Sequence, residues 1–197
     1  VELLQASNWS LRDGVMTHDD TGATLEFEIL LVSPLFERIA LPFVQNLERI
    51  GVKANVRTVD TAQYRRLLDA FDFDMVVTVW GQSSSPGNEQ RDFWSSEAAT
   101  REGSRNLSGV SDPTIDALIE EVIAAPSRES LVQRVRALDR ALQWRFIVIP
   151  HWHTTYDRVI HWDIFEHTDV FPERGFSLST WWIDAERYAE LRGRGAQ

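Results

Sequence analysis

Cysteine is absent from the 197 residues, which excludes thiol nucleophiles, disulfide staples and Cys-ligated zinc. Lysine occurs once, at Lys53, so Schiff-base chemistry has a single position open to it. Positive charge is scarce as a whole: 20 Lys+Arg face 30 Asp+Glu, a formal charge of −10. That balance argues against binding nucleic acid or an anionic membrane surface, both of which need basic groups against phosphates. No apolar run approaches the roughly 18 residues of a membrane span. No glycine-rich run precedes a lysine, so a phosphate-cradling loop is missing. The chain opens on Val1 without a basic and then apolar leader, and is expected to be a piece of a longer polypeptide.

What is present reads as globular. Hydrophobic residues make up 43% and charged residues 25%, enough for one domain, or one plus a tail, with its own core. Tryptophan is abundant, with 8 in all. Large flat rings belong in cores or on ligand-gripping surfaces, since exposing them to water is costly.

The first eighty residues read β-α-β-α-β, an order that argues for an α/β layer structure. Residues 1–7 read as a helix end, and 12–14 and 19–22 carry turn chemistry. Residues 24–32 put Leu25, Phe27 and Ile29 on one strand face. Ser33-Pro34 opens a helix with an apolar stripe, kinked at Pro42 and stopped at Gly51. A half-buried strand over 52–59 and a short helix capped by Thr61 follow. Residues 74–80 are the most β-rich run and are expected to be a central strand, buried on both faces. Residues 81–110 lack periodicity and read as a long loop, a feature that is usually functional. Helices then start at Asp112-Pro113 and at Ser127, and should form a hairpin packed on the sheet. Short strands over 146–149 and 156–162 and a polar helix over 184–192 complete the reading.

The open sheet suggests where a ligand sits, because loops and backbone N–H groups collect beyond the carboxyl ends of the strands. Trp80 ends the expected central strand there. Gln82, Ser83, Ser84, Asn88, Arg105 and Asn106 are suited to holding a peptide backbone. Arg91 or Arg105 can pair with a carboxylate in two-pronged fashion. His151 and Trp152 follow a short strand and are expected on the same edge, Trp152 adding flat apolar contact as Trp80 does. Ser83, Ser84 and Ser85 fail the Gly-x-Ser-x-Gly frame of a nucleophile elbow. His151 and His153 match no zinc spacing, so neither metal nor cofactor is expected.

Several separated strings carry a resemblance. Val79-Trp80-Gly81-Gln82 runs through Ser-Pro-Gly-Asn-Glu-Gln-Arg-Asp to Phe93-Trp94; Ser104-Arg105-Asn106-Leu107, Ser111-Asp112-Pro113, Ile149-Pro150-His151-Trp152 and Trp181-Trp182 follow in order. Together they resemble family 5 extracellular solute-binding proteins, the periplasmic peptide receptors of ABC importers, and most of all the oligopeptide and microcin C branch. The resemblance implies a lobe of the type II periplasmic-binding-protein fold, with a mixed sheet and helices on both faces. Residues 1–162 would be the C-terminal ligand-binding lobe, and 163–197 a return segment packing on a missing N-terminal lobe. It further implies export to the periplasm, a peptide or peptide-like ligand held by lobe closure, the importer's membrane subunits as partners, and no nucleic acid. Many such receptors carry an Asp shortly after the strand-ending Trp, to pair with the peptide amine. Here no acid follows Trp80 until Glu89. Two alternatives stand beside this reading: a Ser/His hydrolase using residues 83–85 with His151 or His153, and the sensing lobe of a transcriptional regulator.

Overall fold

The computed structural model describes residues 1–151, 154–170 and 176–194, and the chain divides into two compact units, 1–148 and 149–197. In the first unit a short helix α1 (Glu2–Ala6) leads into a hairpin of β1 (Trp9–Arg12) and β2 (Val15–His18). The main sheet is parallel, with β3 (Glu26–Leu31) between β4 (Lys53–Thr58) and β5 (Met75–Val76). Helix α2 (Glu37–Glu48) connects β3 to β4, and α3 (Thr61–Asp69) connects β4 to β5. This is the α/β order read from the sequence.

The centre of the sheet is β3, not the run expected at 74–80. Ile29, Leu30 and Leu31 are consecutive and all buried, which requires cover on both faces of that strand. β5 pairs over only two residues and forms an edge. Beyond it the Tyr64 hydroxyl donates to the Val77 carbonyl at 2.8 Å, so a side chain replaces a ladder partner. Ile29, Leu31, Ala40, Val44 and Ala54 make the core between this sheet and α2.

Local chemistry explains most element ends. Ser33 Oγ accepts from Leu35 N, and Pro34 starts a 3₁₀ turn that runs into α2. α2 continues unbroken through Pro42. Asp60, rather than Thr61, caps α3, accepting from the Ala62 and Gln63 N–H groups at 2.9 Å. Gly51 has φ +77 at the end of α2, and its carbonyl accepts from Met16 N at 2.7 Å, which seats the β1–β2 hairpin. A Cβ there would lie 2.8 Å from that backbone nitrogen.

The long aperiodic stretch is not a plain loop. It contains helix α4 (Glu89–Trp94) and a 3₁₀ turn at Ala98–Thr100. Helices α5 (Pro113–Ile123) and α6 (Arg128–Gln143) form the expected hairpin, capped by Asp112 and Ser127. Their buried core is shared with α4 rather than the sheet: Phe93, Trp94, Val110, Ile115, Ile119, Val122 and Leu138. The first unit therefore holds two apolar clusters.

The strands expected over 146–149 and 156–162 do not form. Phe146 adopts φ +52, which ends extended backbone, and Ile160 is fully exposed with no strand beside it. The pairing in the second unit joins β6 (Phe165–His167) to β7 (Trp181–Ile183), and α7 (Ala185–Arg194) follows, with Asp184 as its cap.

Candidate ligand-binding site

After β5 the chain leaves the sheet and turns toward the helical cluster. Trp80 is half-buried, its ring 4.9 Å from that of Trp94 and its Nε1 donating to the Arg105 carbonyl at 3.0 Å. This stitches the strand end to the segment before α5.

The loop that follows is held at several points. Gln82 and Gln90 exchange amide hydrogen bonds at 2.8 and 3.4 Å, and Gln90 is buried. Ser83 Oγ accepts from Ser85 N within its own turn, and an Arg128 guanidinium N–H donates to the Ser84 carbonyl. Burial raises the Glu89 pKa, yet the Gly87 and Glu89 N–H groups and the Gln90 amide outweigh it and hold the carboxyl below its usual range.

Between this loop and α6 lies an open cleft of about 400 Å³. Gln82, Ser83, Ser84 and Pro86 form one wall, and Arg128, Val132, Arg136 and Asp139 one edge of the other. Trp94, Leu131, Val135, Leu138 and Leu142 line its apolar part. An apolar surface bordered by a few polar groups suits a flexible ligand with a polar backbone.

Not every residue singled out by sequence faces this cleft. Arg91 is committed elsewhere: Nε and Nη2 grip the Glu120 carboxylate at 2.7 and 2.6 Å, while Nη1 donates to Asn88 Oδ1. That two-pronged bond raises the Arg91 pKa and lowers that of Glu120. Arg91 and Asn88 therefore join α4 to α5 rather than reaching for a ligand. Asn106 is 0% exposed; its Nδ2 donates to the Ser95 and Val110 carbonyls, and its Oδ1 accepts from Val110 N. It shapes the chain instead of contacting solutes. Arg105 lies over the Phe93 ring at 4.3 Å and has no carboxylate partner among the described residues. His151 is exposed and belongs to the second unit. Trp152, and His153 with it, lie outside the described residues.

Sequence reasoning missed the α6 side of the cleft. Its signal is the spacing Arg128, Val132, Arg136, Asp139, which keeps these residues on one helical face beside the apolar stripe.

Known proteins share this architecture. The model of the family described as bacterial extracellular solute-binding proteins, family 5 middle, matches residues 1–102. The chain is 49% identical over 183 residues to protein y4wM of Sinorhizobium fredii, covering 92% of this chain and 28% of that protein. It is 42% identical over 183 residues to the probable peptide-binding protein YejA of Agrobacterium fabrum, covering 92% and 30% respectively. The chain thus spans about three-tenths of the length of these curated relatives. Among solved structures, the oligopeptide-binding protein AppA of Bacillus subtilis, determined with a nonapeptide, superposes with a TM-score of 0.68 at 18% identity. That match covers 92% of this chain and 36% of AppA, and it shows the fold, that of type II periplasmic binding proteins.

Proposed function

Because the chain belongs to the bacterial extracellular solute-binding proteins of family 5, we propose that it is a ligand-binding part of an ABC-importer receptor for peptides or peptide-like solutes. The observation that carries this reading is the cleft of about 400 Å³, where the loop from Gln82 to Ser84 faces an apolar surface on α6. Gln82, Ser83 and Ser84 offer hydrogen bonds to a peptide backbone. Trp80 does not line this cleft; it fixes the start of the loop through the Trp94 ring and the Arg105 carbonyl. The protein acts by binding and not by catalysis, in the periplasm, and hands its solute to the importer's membrane subunits.

Residues 1–162 are assigned to the ligand-binding lobe and 163–197 to a segment packing on an N-terminal lobe. A ligand touching both lobes stabilises their closed arrangement by its higher affinity for it. The sequence between Trp80 and Glu89 has no acid to meet a peptide amine, so that end is recognised elsewhere, or the solute is not a simple peptide.

Native mass spectrometry of the whole polypeptide, purified from the periplasm of its own cell, tests the reading. A bound peptide or peptide-like solute is expected. A ligand-free protein whose Ser83–Ser85 loop is labelled by a fluorophosphonate would overturn it.

A further inference from the structure

The second unit contains a pocket of its own, about 450 Å³, lined by Tyr156, Asp157, His161, Phe176 and Trp181 with Thr155 and Val159. We infer that this pocket binds a primary ammonium group carried on a flat or apolar body, with Asp157 accepting the ammonium N–H.

The rings come first. Trp181 is set among aromatic neighbours: His161 meets it edge-on at 4.8 Å and Phe176 at 5.3 Å. Such walls present π-faces, which attract cations. The unit shows that attraction already, since the Arg158 guanidinium lies 5.2 Å from the Tyr156 centroid and donates to its hydroxyl at 2.8 Å.

The carboxylate comes next. Asp157 Oδ2 accepts from Phe176 N at 3.0 Å, which fixes the side chain in the pocket wall. No cationic side chain pairs with Asp157 among the described residues, because Arg158 is spent on Tyr156. A negative charge beside aromatic faces, with one oxygen uncommitted among the described residues, favours a cation able to donate a hydrogen bond over a neutral or anionic guest.

A separate observation points to a ligand at the same wall. Trp181 Nε1 is buried and finds no acceptor among the described residues. Buried donors are nearly always paired, so this wall has a polar requirement that no described residue meets. An ammonium-bearing solute with an acceptor close to its nitrogen brings both complements.

The test uses phenethylammonium against 2-phenylethanol, which differ only in the charged donor, added to the ¹⁵N-labelled chain at neutral pH. The Trp181 indole signal should move with phenethylammonium and respond about tenfold more weakly to the alcohol. Asp157→Asn keeps an acceptor for Phe176 N and should weaken ammonium binding about tenfold, whereas Asp169→Asn should not. Trp181→Phe retains a ring without the N–H and, because phenethylammonium carries no acceptor for the indole, should keep the preference for the ammonium. Equal responses to amine and alcohol, or full binding by Asp157→Asn, would overturn the pocket. Either result leaves the cleft of the first unit standing, because no residue is shared.

Discussion

Trp80 and Arg105, twenty-five residues apart, are joined by an indole N–H donated to a backbone carbonyl at 3.0 Å. The bond makes the strand-ending tryptophan part of the scaffold at the start of the loop that lines the cleft. Its ring also packs on Trp94, within the helical cluster. Trp80→Ala should therefore cost about 2–3 kcal/mol of stability, somewhat less than a fully buried tryptophan. Urea denaturation measures it; an unchanged midpoint would make Trp80 a surface residue only.

Asn106→Ala should cost at least about 3 kcal/mol. The change leaves the Val110 N–H and two carbonyls without partners in a site closed to water. Asn106→Asp keeps the acceptor for Val110 N but sets a carboxylate oxygen against the Ser95 and Val110 carbonyls in a buried site, and should be no more stable than Asn106→Ala. Calorimetric melting of both variants checks the order.

Gly51→Ala should destabilise by about 2 kcal/mol, from the left-handed backbone and from contact with Met16 N. Loss of protection at the Met16 amide in hydrogen exchange would locate the damage at the hairpin. A neutral substitution would show that the hairpin is not held there.

Glu120 should titrate below an ordinary glutamate, because the Arg91 hydrogen bonds favour its charged form. The sign follows: a depressed folded pKa gives stability that is present above the unfolded value and lost as the pH falls through the folded one. Both partners are solvent-exposed, so the effect on stability should be small. Carboxyl NMR titration should show the Glu120 midpoint return to its ordinary range in Arg91→Ala. An unchanged midpoint would mean that the pair is broken in solution.

The sequence made local features legible and left non-local ones hidden. Ser33-Pro34, Asp112-Pro113 and Ser127 announce their helices because capping is decided within three residues. The run from Met75 to Val79 looked central because β-branched residues favour strands, yet strand order depends on partners far along the chain. The hairpin Trp9–His18 was visible only as its turns. Helix α4 has six residues and no side-chain cap, so little periodicity marks it. The place of Gln82–Ser84 after a strand marks the loop that lines the cleft. Arg91 looked equally available until Glu120, twenty-nine residues on, proved to hold it. Side-chain commitments of that kind arise from tertiary packing alone.

With the proposed site shared between two lobes, the isolated chain should bind peptides only weakly, since contacts are lost while most of the association cost remains. Micromolar affinity of this chain for a tri- or pentapeptide by calorimetry would contradict a site shared between lobes.

Chemical-shift mapping of the ¹⁵N-labelled chain with millimolar trialanine tests the cleft most directly. The account predicts perturbations centred on the amides of Gln82, Ser83 and Ser84 and on the facing side of α6 around Leu131 and Val135, with Gln82→Ala reducing them. Perturbations that leave both walls of the cleft unmoved, or that survive Gln82→Ala in full, would contradict it.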